Sequence, residues 1–296
     1  MKILLTGSNG LLGQAVIDQV PHFAKRHHIP LEVIGIDLHE PANLSPHCEF
    51  HQGSYTDAAL LEQLIPHCDA VIHTASLHGN CLKTHTPTEF VEGNVGGLAT
   101  LLESCVKHNV RRFVFSSTME ILVGRDWYAS GMQRLDETSP PHCDSIYSTS
   151  KLLCEYLGAD YARRFGIEFL ALRYMNIELP GYHPLQLISR GNPASDVALA
   201  NLHAVIAPDV TFEVLLVAPQ TPLTNQDIVR AQTDPLAVIE THWPGAALIL
   251  QENGHTAHSH FFANPINISK TKRVLKWEPA HTFESWLISQ GWNRSN

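Results

Sequence analysis

The chain has 296 residues, 44% hydrophobic and 17% charged, the balance of a packed globular protein rather than a disordered one, and its length predicts one large domain with a smaller appendage. A net charge of −9, from 29 acidic and 20 basic residues, argues against a nucleic-acid partner, whose phosphates need clustered Lys and Arg, and leaves a small-molecule substrate as the expected partner. The chain opens on MKILLTG rather than a basic and apolar leader, no apolar run reaches membrane-spanning length, and Cys48, Cys68, Cys81, Cys105, Cys143 and Cys154 form no C-x-x-C pair, so a reduced cytoplasmic protein with no membrane contact is expected.

Short β-rich runs alternate with amphipathic stretches along the chain. Strand Ile3 to Thr6 is followed by helix Leu11 to Val20, strand Glu32 to Asp37 by helix Ala58 to Ile65, and strand Ala70 to Thr74 by helix Gly97 to His108. Strand Arg112 to Ser116, helix Ile146 to Phe165 and strand Phe169 to Arg173 continue the pattern, which implies parallel strands joined by crossover helices. Turn residues then accumulate in ELPGYHP and SRGNPAS. Beyond them lie helix Asp196 to Ala207, strand Phe212 to Val217, and SKTKRVLKWEP, read as a final helix ending at Pro279. The expected architecture is an α/β, Rossmann-type doubly wound parallel sheet over residues 1–176. Residues 177–296 form a small C-terminal substrate-binding part whose strand and helix return to the sheet.

TGSNGLLG places Gly7, Gly10 and Gly13 directly after a strand and at the opening of a helix. Three glycines so spaced arise by chance in about 0.07 places in such a chain. The arrangement lets bare backbone N–H groups and a helix N-terminus meet a pyrophosphate, with Asn9, Leu11 and Leu12 contributing to the same turn. Asp37 closes the second strand, where a carboxylate accepts from adenosine ribose hydroxyls and repels a 2′-phosphate. LHEPANLS offers no Lys or Arg to that phosphate, so the expected cofactor is NAD.

YSTSK sets Tyr147 and Lys151 four apart on one helix face. Such a pair alone is weak, with a chance expectation of about 0.2. An ammonium about 5 Å from a phenol, at an effective dielectric of about 20, favours the phenolate by roughly 3 kcal/mol, which would make Tyr147 a base near neutral pH. FSSTMEILVG ends a strand in Ser116, Ser117 and Thr118, hydroxyls able to hold a substrate oxygen.

Together these segments resemble the extended short-chain dehydrogenase/reductases, the NAD-dependent epimerase/dehydratase group, from Met1 to about Asn176 with weaker echoes to Trp286. DAVIHTAS is similar to the strand that lines the family's cofactor, NVGGLATLLESC to its following helix, and RYMNIELPG to the segment bracketing the nicotinamide. The resemblance implies a Thr118, Tyr147, Lys151 triad, with Asn94 supporting the lysine through a water relay. It implies cofactor contacts from Ser54, Thr74, Ala75, Ser76, Asn94, Tyr147, Lys151, Tyr174 and Asn176. Substrate contacts are expected from Ser76, His78, Thr118, Met119, Tyr147, Asn176 and Arg190. It also implies a homodimer through the helices Gly97 to His108 and Ile146 to Phe165.

The sequence departs from the family at places that bear on substrate. Gly53-Ser54 stands where Gly-Asp often meets the adenine. Glu120 follows Thr118 by two, resembling the T-x-E of sugar-nucleotide dehydratases and decarboxylases, but Met119 leaves the Asp-Glu pair of one dehydratase class incomplete. Glu120 is either a second acid/base or a satisfied polar residue. The short span from Asn176 to Asp196 lacks the insertion that holds a nucleotide diphosphate, so a small sugar, sugar acid or related hydroxy compound is expected. That layout is similar to the uronate dehydrogenases; Leu185 stands where they carry a carboxylate-binding arginine, and Arg190 is the nearest substitute. A nucleotide-sugar epimerase or dehydratase with tightly bound NAD is the alternative enzyme. A non-catalytic dinucleotide-binding module is a third reading, though it would be free to lose the catalytic pair. GHTAHSHFF brings His255, His258 and His260 close without an acidic or cysteine partner, and no metal is expected.

Overall fold

Runs such as Leu4–Thr6 and Arg112–Thr118 are buried throughout, as parallel strands covered by helices on both faces must be. The computed structural model describes residues 1–124, 134–178, 181–189 and 191–294. The elements run β1 (Lys2–Thr6), α1 (Leu11–His27), β2 (Glu32–Asp37), β3 (Cys48–Gln52), α2 (Ala58–Leu64), β4 (Ala70–His73) and α3 (Pro87–Phe90). A π-helical turn (Val91–Gly96) leads into α4 (Gly97–Lys107), then β5 (Arg112–Thr118), α5 (Glu120–Val123), α6 (Ile146–Phe165) and β6 (Glu168–Tyr174). The rest comprises β7 (Ile177–Glu178), β8 (Asn192–Pro193), α7 (Ala194–Ile206), β9 (Phe212–Val217), α8 (Asn225–Ala231), α9 (Pro235–His242), α10 (Ala246–Glu252), α11 (Ser269–Leu275) and α12 (Phe283–Ser289).

Seven parallel strands form one sheet in the order β3-β2-β1-β4-β5-β6-β9. This is the doubly wound α/β sheet expected, and its order reverses between β1 and β4, so the crevice beyond their C-terminal ends is where such folds take ligands. Apolar residues of α1, α7 and α11 pack on one face, while α2, α4 and α6 cover the other. β7 and β8 pair as a separate ribbon, and a third apolar cluster joins Leu185, Leu223, Ile239, Phe262 and Phe283 within the C-terminal part.

Several boundaries differ from the sequence reading. Helix α1 runs past Pro21 to His27, because burial of Phe23 rewards continuation despite the missing proline N–H. The edge strand β3 lacks the apolar run of a buried strand, since its residues are half-buried or exposed and include the polar Glu49, His51 and Gln52. The helix expected to end at Pro279 stops at Leu275, where Lys276 turns left-handed at φ 52°, and it is not the last, since α12 follows. Helices α8, α9 and α10, each no longer than eight residues, were too short for periodicity to register.

Helix α6 lies close on β6 because Gly158 has no side chain: a Cβ there would sit 2.4 Å from the buried Phe169 ring. Gly158→Val is expected to destabilise the protein by about 2 kcal/mol or more, since overpacking outweighs the gain in helix propensity. Thermal unfolding would report this as a midpoint several degrees lower; an unchanged midpoint would refute the close contact.

Candidate active site

The glycine turn closes on itself. Gly7 adopts φ +70°, and a Cβ there would lie 2.8 Å from Ala75 N and from Thr74 Oγ1, while one on Gly13 would lie 2.2 Å from Gly7 O. Thr74 Oγ1 donates to Thr6 O at 2.7 Å, joining the turn to the end of β4. Gly10 caps α1 with no side chain to receive the first-turn N–H groups, and no acidic residue stands in that turn. Leu11, Leu12 and Gly13 thus begin a seventeen-residue helix whose positive end is open to an anion.

Beside the turn, Asp37 accepts from Asn9 N at 3.0 Å and His39 N at 3.1 Å, leaving further lone pairs on both oxygens for ribose hydroxyls. Gly53 N donates to Asp37 O at 2.8 Å, so Ser54 follows directly, its hydroxyl engaged with Thr56 Oγ1 at 2.7 Å. An uncapped helix end, a cradle without Cβ atoms and a flanking carboxylate together fit a dinucleotide.

The crevice continues into a cavity of about 430 Å³ lined by Leu11, Leu12, Thr74, Ser76, His78, Thr118, Glu120, Tyr147, Lys151, Tyr174 and Asn176, among others. A Ser145/Ser148 capping box starts α6, which places Tyr147 and Lys151 in its first two turns at the cavity wall. Lys151 is only 2% exposed; its Nζ donates to Ser116 O at 2.7 Å and lies 4.8 Å from the Phe115 ring centre. Burial pulls its pKa down to about 8, with Cys154 and Glu155 acting in the opposite sense.

Tyr147 departs from expectation. It is half-buried by surface area yet deep among protein atoms, and this enclosure pushes its phenol well above the usual value. The Glu120 charge adds to the rise and a hydrogen bond with Thr118 opposes it. The anticipated lowering by Lys151 is not met: burial dominates the phenol's proton affinity, and the ammonium is directed to the Ser116 carbonyl. Thr118 Oγ1 also accepts from Glu120 N at 3.2 Å, so Thr118, Glu120 and Tyr147 form one group.

Asn94 sits within the π-helical turn. Its Oδ1 accepts from Leu77 N at 2.8 Å, and its Nδ2 donates to Leu77 O at 2.9 Å and to Ser150 Oγ at 3.0 Å. Its side chain thus binds the residue preceding Lys151 and clamps the loop after β4 onto α6. One turn beyond Lys151, buried Glu155 accepts from Ser117 Oγ at 2.5 Å, Arg173 Nε at 2.8 Å and the same guanidinium's NH2 nitrogen at 2.6 Å. This pair bolts α6 to β5 and β6 immediately beneath the cavity.

Met119 corrects the substrate assignment made for it: its side chain is wholly buried in the apolar cluster against α1 and α7, since the backbone turns at the end of β5 and sends it away from the cavity. His78 lies exposed at the cavity wall, its Nδ1 accepting from Asn80 N at 3.2 Å. Arg190 lies outside the described residues. His255 meets the rings of His183 and Trp286, and His258 stacks on His260; among the described residues no group of three His, Cys, Asp or Glu is arranged to hold a metal. Met175 and Ile177, within RYMNIELPG, also line the cavity; Gly79 and Asn80 line it too and carried no sequence signal, whereas Glu155 was visible as a carboxylate one turn after Lys151.

A family profile described as NAD dependent epimerase/dehydratase family matches residues 3–200. The UDP-glucose 4-epimerase of Streptococcus mutans is 25% identical over 260 residues, covering 87% of this chain and 75% of that protein. The uronate dehydrogenase of Pseudomonas putida is 29% identical over 172 residues, covering 58% of this chain and 59% of that protein. Among solved structures, a UDP-glucuronic acid 4-epimerase from Bacillus cereus in complex with NAD superposes with a TM-score of 0.67 at 18% identity, covering 98% of this chain and all of that one.

The Glu155–Arg173 pair is open to a double-mutant test. Glu155→Leu or Arg173→Met alone leaves a buried charge without its partner and is expected to cost about 3–5 kcal/mol of stability. The double variant is expected to recover much of that loss in denaturant titrations. Additive losses would show that the two side chains do not act as a pair.

Proposed function

The chain belongs to the NAD-dependent epimerase/dehydratase family, and from that premise we propose that it is a dehydrogenase that oxidises a hydroxyl of a small sugar, sugar acid or related compound. The observation that carries this reading is the meeting of Thr118, Tyr147 and Lys151 in one cavity beside the glycine turn. NAD, held by Gly7, Gly10, Gly13 and Asp37, supplies the hydride acceptor and, when oxidised, a positive charge that favours the phenolate. Tyr147 takes the proton from the substrate hydroxyl, whose oxygen Thr118 holds through its own hydroxyl. Lys151 keeps an ammonium behind the phenol, and Asn94 fixes the helix that carries both.

Substrate size is argued from charge. Among the described residues lining the cavity, Lys151 is the sole Lys or Arg, and its ammonium is committed to Ser116 O. A nucleotide diphosphate would require more cations than that wall provides. Ser76, His78 and Asn176 then meet the substrate, with Arg190 the candidate for a carboxylate and residues 177–296 the substrate-facing part. Exposed Leu153, Tyr156 and Phe165 on α6 support a homodimer through that helix as part of the same proposal.

A second reading, transient oxidation within epimerisation or dehydration, is favoured by one observation: the Glu120 carboxylate bears directly on Tyr147. It would act there as an additional acid/base. NADH accumulating in proportion to substrate consumed supports the dehydrogenase, and turnover without NADH the alternative.

Two measurements test the common scheme. Tyr147→Phe is expected to lower turnover by about 10²–10⁴ while NAD affinity changes little, and full turnover would overturn the assignment. In the reductive direction both Tyr147 and Lys151 must carry protons. The rate is therefore expected to hold at lower pH and fall as Lys151 loses its proton at about pH 8; a flat profile to pH 10 would remove Lys151 from the proton balance.

A further inference from the structure

At the opposite end of α1 from the glycine turn lies a second cavity, of about 850 Å³, between α1, α7 and the segment after α11. Along the helix, the nearest lining residue, Gln19, stands about 12 Å from the cofactor turn and Phe23 about 18 Å, at 1.5 Å per residue. Phe23, Leu199 and Trp277 supply apolar lining, and the rings of Phe23, His27 and His203 contact one another at centroid separations of 4.2–5.1 Å.

The Trp277 indole N–H is buried without a hydrogen-bond partner on a residue only 3% exposed, and the Nε2 of His27 is likewise unpartnered. His203 Nδ1 faces Leu275 O at 3.1 Å, so it donates there and leaves Nε2 as an acceptor; burial and neighbouring His27 hold its pKa near 4, so it is neutral at neutral pH. Lys25, Arg26 and Lys276 stand around the opening, and none of the ion pairs among the described residues uses them. The one acidic lining residue, Glu278, is paired with Lys272.

Helix dipoles explain part of this charge but not all. Helices α1, α7 and α11 all end close to the cavity, and each brings about half a negative charge, together about 1.5 against three fixed positive charges. A positive excess remains, on a chain whose net charge is −9.

We propose that this cavity binds a small aromatic anion, its ring against Phe23, Leu199 and Trp277 and its charged head toward Lys25, Arg26 and Lys276. The site is independent of the catalytic reading, and its test needs no turnover. Anilinonaphthalene sulfonate serves as the probe, titrated into the full chain with NAD in saturating excess so that the cofactor crevice is closed to it. One saturable site is expected, displaced by phenyl phosphate or benzoate. The variant Lys25→Glu/Lys276→Glu is expected to weaken the dye about tenfold with its melting temperature and NAD affinity retained. Leu199→Trp, which fills the cavity without touching charge, is expected to abolish binding and guards against a charge variant that fails to fold. The proposal is overturned if the dye shows no saturable binding, if neither competitor displaces it, or if both variants bind as the parent chain does.

Discussion

An ammonium group shut away from water is the constraint around which the cavity end of this fold is arranged. Lys151 has one direct acceptor, the Ser116 carbonyl, and an aromatic face at Phe115. A charge so placed is tolerable only if its surroundings are rigid, because a buried cation that loses its acceptor shifts toward the neutral form. The rigidity comes from two directions. Asn94 ties the preceding residue to the loop after β4, and Glu155 with Arg173 and Ser117 ties the following turn to β5 and β6. Helix α6 is therefore held on both sides of the turn that carries Lys151, and the cavity wall inherits that fixity.

Much of this arrangement was legible in the sequence because its chemistry is local. Three glycines after a strand, a carboxylate closing the next strand and a tyrosine four residues before a lysine are short-range patterns, each with its own physical requirement. The parallel sheet was equally readable, since buried strands appear as apolar runs. What escaped depended on distance. Nothing in the string Thr118-Met119-Glu120 says that the chain turns so as to bury the middle side chain and leave its neighbours at the cavity. The sequence shows the helical neighbour of Tyr147 but not its enclosure or the carboxylate 27 positions earlier, from which its proton affinity follows. Helix α1 overrode its own proline because tertiary burial outweighed a local preference.

The chain beyond β6 divides its labour. Strand β9 and helix α7 complete the sheet and its cover, while the short helices α8, α9, α10 and α12 gather a separate apolar cluster. The narrow ribbon β7–β8 is the seam between these roles and leaves the sheet beside Asn176. That cluster and its loops can thus vary without disturbing the strand pairing beneath the cavity, which is how one scaffold can serve different chemistries.

The π-helical turn at Val91–Gly96 carries a consequence for how this segment can change in length. An α-helix advances about 100° per residue, so the extra residue held in that wider turn sets the angle at which Asn94 faces its partners relative to α4. Deleting one residue would let the turn relax to regular geometry and would swing everything on its N-terminal side by roughly a quarter of a revolution. Asn94 would then point away from both Leu77 and Ser150. Natural variants of this chain should accordingly tolerate substitutions along α4 far more readily than a single-residue gain or loss between Phe90 and Gly97.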